Sequence, residues 1–275
     1  MVIRYLLYTD HLQQLLFSLM KQKIQTDVLK NYIFFFFYLL TNIRLLKLLV
    51  HQIYIPVFIQ FEWLKNYHIK TIIDVGAYHG EVSKSLHLLF PDADIFAFEP
   101  VEENLDIIYK KLDKKAKVIP MALSDKIEKK QFNVYSKKYL SSFLNMDAEY
   151  SRKLLPTGKP IKTNITVETT TLDSFFKKKQ LKKHIILKID TQGSEGVVLK
   201  GGKNLLKSVS IIHLEAPFDS FYAKQDYFAN IYDFLIKQGF KYVGEARESN
   251  FYPLFKPQYS TNCLFINPKL IQLKY

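Results

Sequence analysis

A single cysteine, Cys263, occurs in 275 residues. That excludes an internal disulfide and any zinc site built on several cysteines, and it suits a reducing compartment. Glycine is scarce at 9 residues, and none precedes Gly76. Over the same opening stretch Pro56 is the lone proline. Long apolar runs are also missing. The uncharged run from Asn31 to Ile43 spans about 20 Å as a helix at ~1.5 Å per residue, short of the roughly 30 Å of a bilayer core. It begins too late, and lacks the small-residue cleavage site, to read as a signal peptide. Acidic residues are the minority sign, 26 against 39 Lys and Arg, for a net charge of +13. That excess suits nucleic acid, a membrane surface or an acidic substrate and selects none of them. The 48% apolar content is enough for a globular core and excludes a wholly disordered chain.

The first 65 residues differ from the rest. They are dense in aromatics, with Ile33 to Leu40 the extreme. Arg44, Lys47 and His51 recur on one helical face, against Leu45, Leu46, Leu48, Leu49 and Val50 on the others. Residues 1–65 are therefore expected to be a helical, aromatic-rich extension. Three roles stay open for it: a layer packed on the main domain, a dimer surface, or a peripheral membrane contact through residues 31–60.

Residues 66–275 alternate short apolar runs with amphipathic stretches. Thr71–Val75, Asp94–Glu99, Val118–Met121, Ile185–Asp190 and Val209–Glu215 read as strands. Glu81–Phe90, Val101–Leu112, Ser194–Leu206 and Tyr227–Gln238 read as helices. Strands alternating with helices imply βαβ units and a mostly parallel sheet. Phe240–Ala246 and Asn262–Asn267 then follow without a helix between them, which predicts a terminal antiparallel hairpin. The expected class is α/β, a Rossmann-like doubly wound sheet of seven strands with that hairpin. Residues 135–163 interrupt the pattern as an insertion, a lid or an acceptor pocket, where Arg152 and Lys159 could meet an acidic group.

The sharpest local signal is Asp74-Val75-Gly76-Ala77-Tyr78-His79-Gly80, which closes the first strand and opens the first helix. Gly76 lets the backbone turn, and Gly80 permits close approach of a ligand. The dinucleotide pattern G-x-G-x-x-G is absent. An acid ahead of the first glycine repels a pyrophosphate and suits a ligand with an ammonium group, as S-adenosylmethionine has. Glu99 closes the second strand, where an acid accepts bonds from ribose hydroxyls, and Pro100 ends that strand. Asp190 closes the fourth strand ahead of Thr191-Gln192-Gly193-Ser194-Glu195. Ser194 suits an N-cap, and Glu195 suits the first turn of a helix. His213 and Glu215 share one face of the fifth strand, with His213 deeper and better suited to the core.

Taken together, these segments resemble the FkbM family of methyltransferases. The resemblance runs from about Thr71 to Asn267. It rests on the Asp74–Gly80 turn, Phe98-Glu99-Pro100, Ala122-Leu123-Ser124-Asp125 and Thr170-Thr171-Leu172-Asp173-Ser174-Phe175. It also rests on Leu187–Glu195, Val198-Leu199-Lys200-Gly201-Gly202 and Cys263-Leu264-Phe265-Ile266-Asn267. The family's usual motif has Asn where Tyr78 stands. The resemblance implies an S-adenosylmethionine-dependent O-methyltransferase of sugar hydroxyls in glycans, lipopolysaccharides or secondary metabolites. The cofactor set is then Asp74, Gly76, Ala77, Tyr78, Gly80, Glu99, Pro100, Ser124, Asp125 and Asp190.

Methyl transfer to a hydroxyl needs a group to take the proton. Asp190 is the first candidate, Glu215 the second and His213 the third. Mg²⁺ held by Asp190, Glu195 and Glu215 is an alternative way to activate the hydroxyl. The partner expected is a small-molecule or glycan acceptor, and a homo-oligomer stays open. The expected location is the cytoplasm, or the inner face of a membrane. Two rivals are a nucleic-acid methyltransferase and a non-catalytic membrane-surface protein. The first is disfavoured because Asp190-Thr191-Gln192-Gly193 lacks the paired prolines that amino-methylating enzymes carry there.

Overall fold

The computed structural model describes residues 53–112, 116–154, 161–246 and 259–272, together with Leu48. The chain divides into two compact units, residues 1–55 and 56–275. The second begins earlier than the boundary at 65 expected from composition. The uncharged run Asn31–Ile43, the face of Arg44, Lys47 and His51, Lys159, and nearly all of the expected membrane contact lie outside the described residues. Among the described residues no helix is long and apolar enough to cross a membrane.

The second unit alternates strands and helices as the sequence predicts. Its helices are α1 (Ile55–Glu62), α2 (Glu81–Leu89), α3 (Glu102–Leu112), α4 (Ala148–Leu154), α5 (Leu172–Phe176), α6 (Glu195–Lys200) and α7 (Phe228–Lys237). Seven strands form the main sheet: β1 (Thr71–Val75), β2 (Asp94–Phe98), β3 (Ala116–Ile119), β7 (Ile185–Ile189), β8 (Val209–Pro217), β9 (Lys241–Glu245) and β10 (Ser260–Ile266). Between β3 and β7 in the chain come β4 (Ala122–Leu123), β5 (Lys129–Tyr135) and β6 (Ile161–Thr170). The order in the sheet is β3-β2-β1-β7-β8-β10-β9. Every pairing is parallel except those of β10 with β8 and β9. The terminal hairpin is therefore present, with β10 inserted beside β8 and β9 left at the edge.

Strands buried on both faces need apolar residues at nearly every position. Ile72, Ile186 and Ile211 pack on one face with Phe61, Leu64 and Leu86. Ile73, Leu187 and Ile212 pack on the other with Leu172, Val198, Ile231 and Leu235. Helices thus cover both faces, as a doubly wound sheet requires. Phe61 and Leu64 are fully buried, each worth about 1.5–3 kcal/mol of apolar burial, so the residues just before β1 belong to this core.

Three expectations are corrected. The third strand ends at Ile119, because Pro120 has no N–H to donate. The helix after β7 stops at Lys200 rather than Leu206. There Gly201 and Gly202 pack where side chains would not fit: an added Cβ at Gly201 would lie 2.2 Å from the Ser124 carbonyl oxygen. Finally, residues 135–163 are not wholly an insertion. Their flanks belong to β5 and β6, which pair antiparallel and, with β4, make a separate three-stranded sheet.

Candidate active site

Chain order reverses between β1 and its neighbours β2 and β7, and ligands of open α/β sheets sit outside the carboxyl ends of strands at such a point. Two loops meet there. The first follows β1. Gly76 has φ +73, and an added Cβ would stand 1.9 Å from the Asp190 carbonyl oxygen. Only glycine fits both the conformation and the space. The Gly76 and Ala77 N–H groups both donate to Phe98 O, at 3.1 and 3.0 Å. Tyr78 follows with φ 50, and Gly80 with φ +78 opens α2. The Tyr78 and His79 rings stack at 3.7 Å.

Glu99 locks this turn to the end of β2. Its Oε2 accepts from the Tyr78 N–H at 2.9 Å. Its Oε1 accepts from the Val101 N–H at 3.0 Å and from Asn104 Nδ2 at 3.1 Å. Burial pushes its pKa up, against these three donors. Pro100 carries the chain from Glu99 towards α3. Ser124 is buried after β4, where its carbonyl meets Gly201, and Asp125 is exposed beside it.

Asp74 does not face this cleft. It is fully buried. Its Oδ2 accepts from Ser83 Oγ at 2.6 Å, and its Oδ1 pairs with Lys188 Nζ at 3.1 Å. An ammonium group of a ligand would find the carboxylate already covered and neutralised. The direct contact expected of Asp74 is thus corrected to a supporting one. Lys188 was not singled out in the sequence, although a lysine at the centre of an apolar strand is itself a signal. Removing one partner of a buried pair costs about 3–5 kcal/mol.

The second loop follows β7. The Asp190 N–H donates to Val75 O at 3.0 Å, which seats this loop against the glycine turn. Gln192 has φ 56, and its side chain bridges two carboxylates. Nε2 donates to Asp190 Oδ1 at 2.7 Å and to Glu215 Oε2 at 3.2 Å. Glu215 also accepts from Ser260 Oγ at 2.7 Å. Burial and the nearby Asp190 push the Glu215 pKa up to about 8. Asp190 and Glu215 are therefore linked by Gln192, a residue the sequence did not single out.

Glu195 and His213 are not brought to the cleft. Glu195 folds back on its own loop, accepting from the Thr191 N–H at 2.7 Å, Thr191 Oγ1 at 3.0 Å and the Gly193 N–H at 3.0 Å. It closes the loop in place of the cap expected of Ser194, whose side chain makes no capping bond. Burial pushes the Glu195 pKa up to about 7. Its oxygens are committed to these donors, and among the described residues no group of three His, Cys, Asp or Glu could hold a metal ion. The expected Mg²⁺ triad of Asp190, Glu195 and Glu215 is thus not formed. His213 is buried two residues before Glu215, with its ring 4.7 Å from Phe61 and both nitrogens without partners among the described residues. Burial and Lys188 lower its pKa to about 3. It is a core residue rather than a base.

The insertion walls the cleft beside Gln192. Ser142 Oγ donates to the Gln192 carbonyl at 2.6 Å. The Tyr222 hydroxyl stands 2.8 Å from Leu140 O and 3.1 Å from Gln192 Oε1. A bridge between Met146 and Tyr222 and stacking of Tyr150 on Phe221 at 4.4 Å fix α4 alongside. The Tyr150 pKa is pushed up to about 12, first by burial and then by Glu215. Arg152 is exposed on α4, where its Nε donates to Ala148 O at 3.3 Å.

Residues 74–242 match the family described as the methyltransferase FkbM domain. Among solved structures, the chain is similar to a methyltransferase FkbM from Methylobacillus flagellatus KT, with 13% identity and a TM-score of 0.44 over 72% of this chain and 44% of that one. The chain thus spans less than half the length of that protein. It is also similar to magnesium protoporphyrin IX methyltransferase from Synechocystis with bound SAM (12% identity, TM-score 0.41, 78% and 77% of the two chains). An rRNA methylase from Streptococcus thermophilus is similar at 9% identity and TM-score 0.43, over 77% and 96%. No curated protein matches the sequence.

Proposed function

Since the chain belongs to the FkbM methyltransferase family, we propose that it is an S-adenosylmethionine-dependent O-methyltransferase. Its acceptor is a hydroxyl of a sugar in a glycan, glycolipid or secondary metabolite. The observation that carries this reading is the meeting of two loops at the switch point of the sheet. One is a glycine turn closed by Glu99. The other bears Asp190, which Gln192 links to Glu215.

The residues of the first loop fit the cofactor. Glu99 is a buried acceptor at the end of β2, suited to ribose hydroxyls. Gly76 and Gly80, with Ala77, Tyr78 and His79 between them, keep the turn tight, and it holds no lysine or arginine for a phosphate. Pro100, after β2, and Ser124 and Asp125, after β4, complete the proposed cofactor set. Asp74 supports the turn from below. When bound, S-adenosylmethionine supplies a methyl group already activated on a sulfonium, so alignment is the main task left to the protein.

The second loop fits the acceptor. A hydroxyl becomes a competent nucleophile as its proton leaves, and Asp190 stands at the strand end to take it. Glu215, raised to about 8, keeps its proton at neutral pH and serves better as a donor than as a base. Gln192 fixes the spacing of both carboxyl groups. The insertion, through Ser142 and Tyr150, and Tyr222 of the segment after β8 wall off the acceptor side.

The test uses the full chain. Calorimetric titration with S-adenosylhomocysteine should show binding, and titration with NAD should show none. Labelled methyl transfer is then run against glycan and lipid fractions of the source cell, with nucleic acid as a parallel acceptor. Label in glycan or glycolipid that survives alkaline hydrolysis is expected of an ether. Label confined to RNA or DNA, or NAD binding in place of the homocysteine compound, would contradict the reading.

A further inference from the structure

The register of the sheet places Asp74, Lys188 and His213 in one row across β1, β7 and β8. They share one face, beneath the glycine turn. Ser83 of α2 and Phe61 of α1 close over the row. Lys188 is 5% exposed, and its neighbours along β7 are isoleucine and leucine. A buried ammonium is costly unless it is paired and hydrogen-bonded. Asp74 supplies the pairing, but charge balance alone could be met by an apolar residue at 188 and a neutral one at 74.

A third contact goes beyond charge balance. Lys188 Nζ donates to the Gly76 carbonyl at 2.9 Å. That carbonyl belongs to the same peptide unit as the Ala77 N–H, which donates to Phe98 O at 3.0 Å. The peptide between Gly76 and Ala77 is therefore held at both ends. Glycine makes a flip of this peptide sterically cheap. A flip would turn the carbonyl away from Lys188 and take the Ala77 N–H from Phe98 O. Of the side chains bonded to this peptide, the one that opposes the flip from below is Lys188.

We propose that Lys188 is a positioning residue for the cofactor: its ammonium pins the Gly76–Ala77 peptide from inside the sheet, with Asp74 as its counter-ion. The cofactor half of this inference rests on the methyltransferase reading, and the pinning of the turn does not. Three variants of the full chain test it. Lys188→Met removes the donor and strands Asp74. Asp74→Asn with Lys188→Met removes both charges and keeps the volume. Ser83→Ala removes a different bond to Asp74 and leaves the Lys188–Gly76 contact intact.

Amide hydrogen exchange of the ligand-free protein is followed at residues 76–80, with β7 as internal reference. In the double variant, exchange in the turn should quicken by about tenfold while β7 stays protected. Affinity for S-adenosylhomocysteine should fall by about tenfold with little change in the melting midpoint. Ser83→Ala should keep wild-type turn exchange and affinity. If the double variant matches the wild type in both readouts, or if Ser83→Ala loosens the turn equally, the inference is overturned. A wild-type chain that binds no S-adenosylhomocysteine would defeat the methyltransferase reading and the cofactor role with it. Turn exchange would still decide whether Lys188 pins the peptide.

Discussion

The side-chain amide of Gln192 donates to Asp190 Oδ1 at 2.7 Å, two residues back on the same left-handed turn. The same nitrogen reaches Glu215 on the neighbouring strand at 3.2 Å. One amide thus sets the distance between the two carboxyl groups. Gln192→Ala should lower kcat by on the order of 10²-fold, the cost of a misplacement of about an ångström. S-adenosylhomocysteine affinity should stay near wild type. Single-turnover transfer and calorimetry on one preparation check both, and undiminished transfer would remove Gln192 from the account.

Gly76→Ala should be severe. Its Cβ would fall 1.9 Å from the Asp190 carbonyl, at φ +73. The two loops that form the cleft would be forced apart. A melting midpoint lowered by several degrees and loss of S-adenosylhomocysteine binding are expected. A variant that binds like the wild type would contradict the close approach of these loops.

Stability should fall as pH rises from about 4.5 to about 8. Glu215 and Glu195 are raised from 4.5 to about 8 and about 7. Between the unfolded and folded values the native state holds protons that the unfolded state has released. The stability they contribute is therefore complete below the unfolded value and lost as pH climbs through the folded one. Urea unfolding at successive pH values should show this slope in the wild type, and a shallower one in Glu215→Gln. Identical slopes would mean that Glu215 is not enclosed as described.

His213→Leu should be benign. Both ring nitrogens are buried without partners among the described residues, and an unsatisfied buried polar group costs about 1–3 kcal/mol. Leucine is close in volume and apolar. The melting midpoint should rise by a few degrees, with turnover within about twofold of wild type. A large loss of turnover would restore His213 as a candidate base.

Much of the site was legible because its chemistry is local in sequence. The glycine turn, Glu99 and Asp190 each sit at the end of a strand that reads as one, and the terminal hairpin shows as two strands with no helix between. Lys188 was visible but unexplained, since its partners Asp74 and the Gly76 carbonyl appear only once β1 and β7 are in register. Gln192 depends on Glu215 and Tyr222, which fold back from 23 and 30 residues away. No spacing rule links them. The hairpin of β5 and β6 did carry period-two signals, in Phe132 and Val134 and in Ile165 and Val167. The loop between them made the pair read as an insertion. Asp74 and Glu195 show the opposite failure. An acid in a suggestive place can serve the fold, and only its bonding partners reveal that.

The most direct test of the central claim is Asp190→Asn, assayed for labelled methyl transfer to glycan and lipid fractions and titrated with S-adenosylhomocysteine. Asparagine keeps the shape of the side chain and its place beside Gln192 but cannot take a proton. Transfer should fall by about 10²–10⁴-fold, the usual weight of a positioned base, with affinity for S-adenosylhomocysteine within about threefold of wild type. Undiminished transfer in this variant would contradict the assignment of Asp190 as the base.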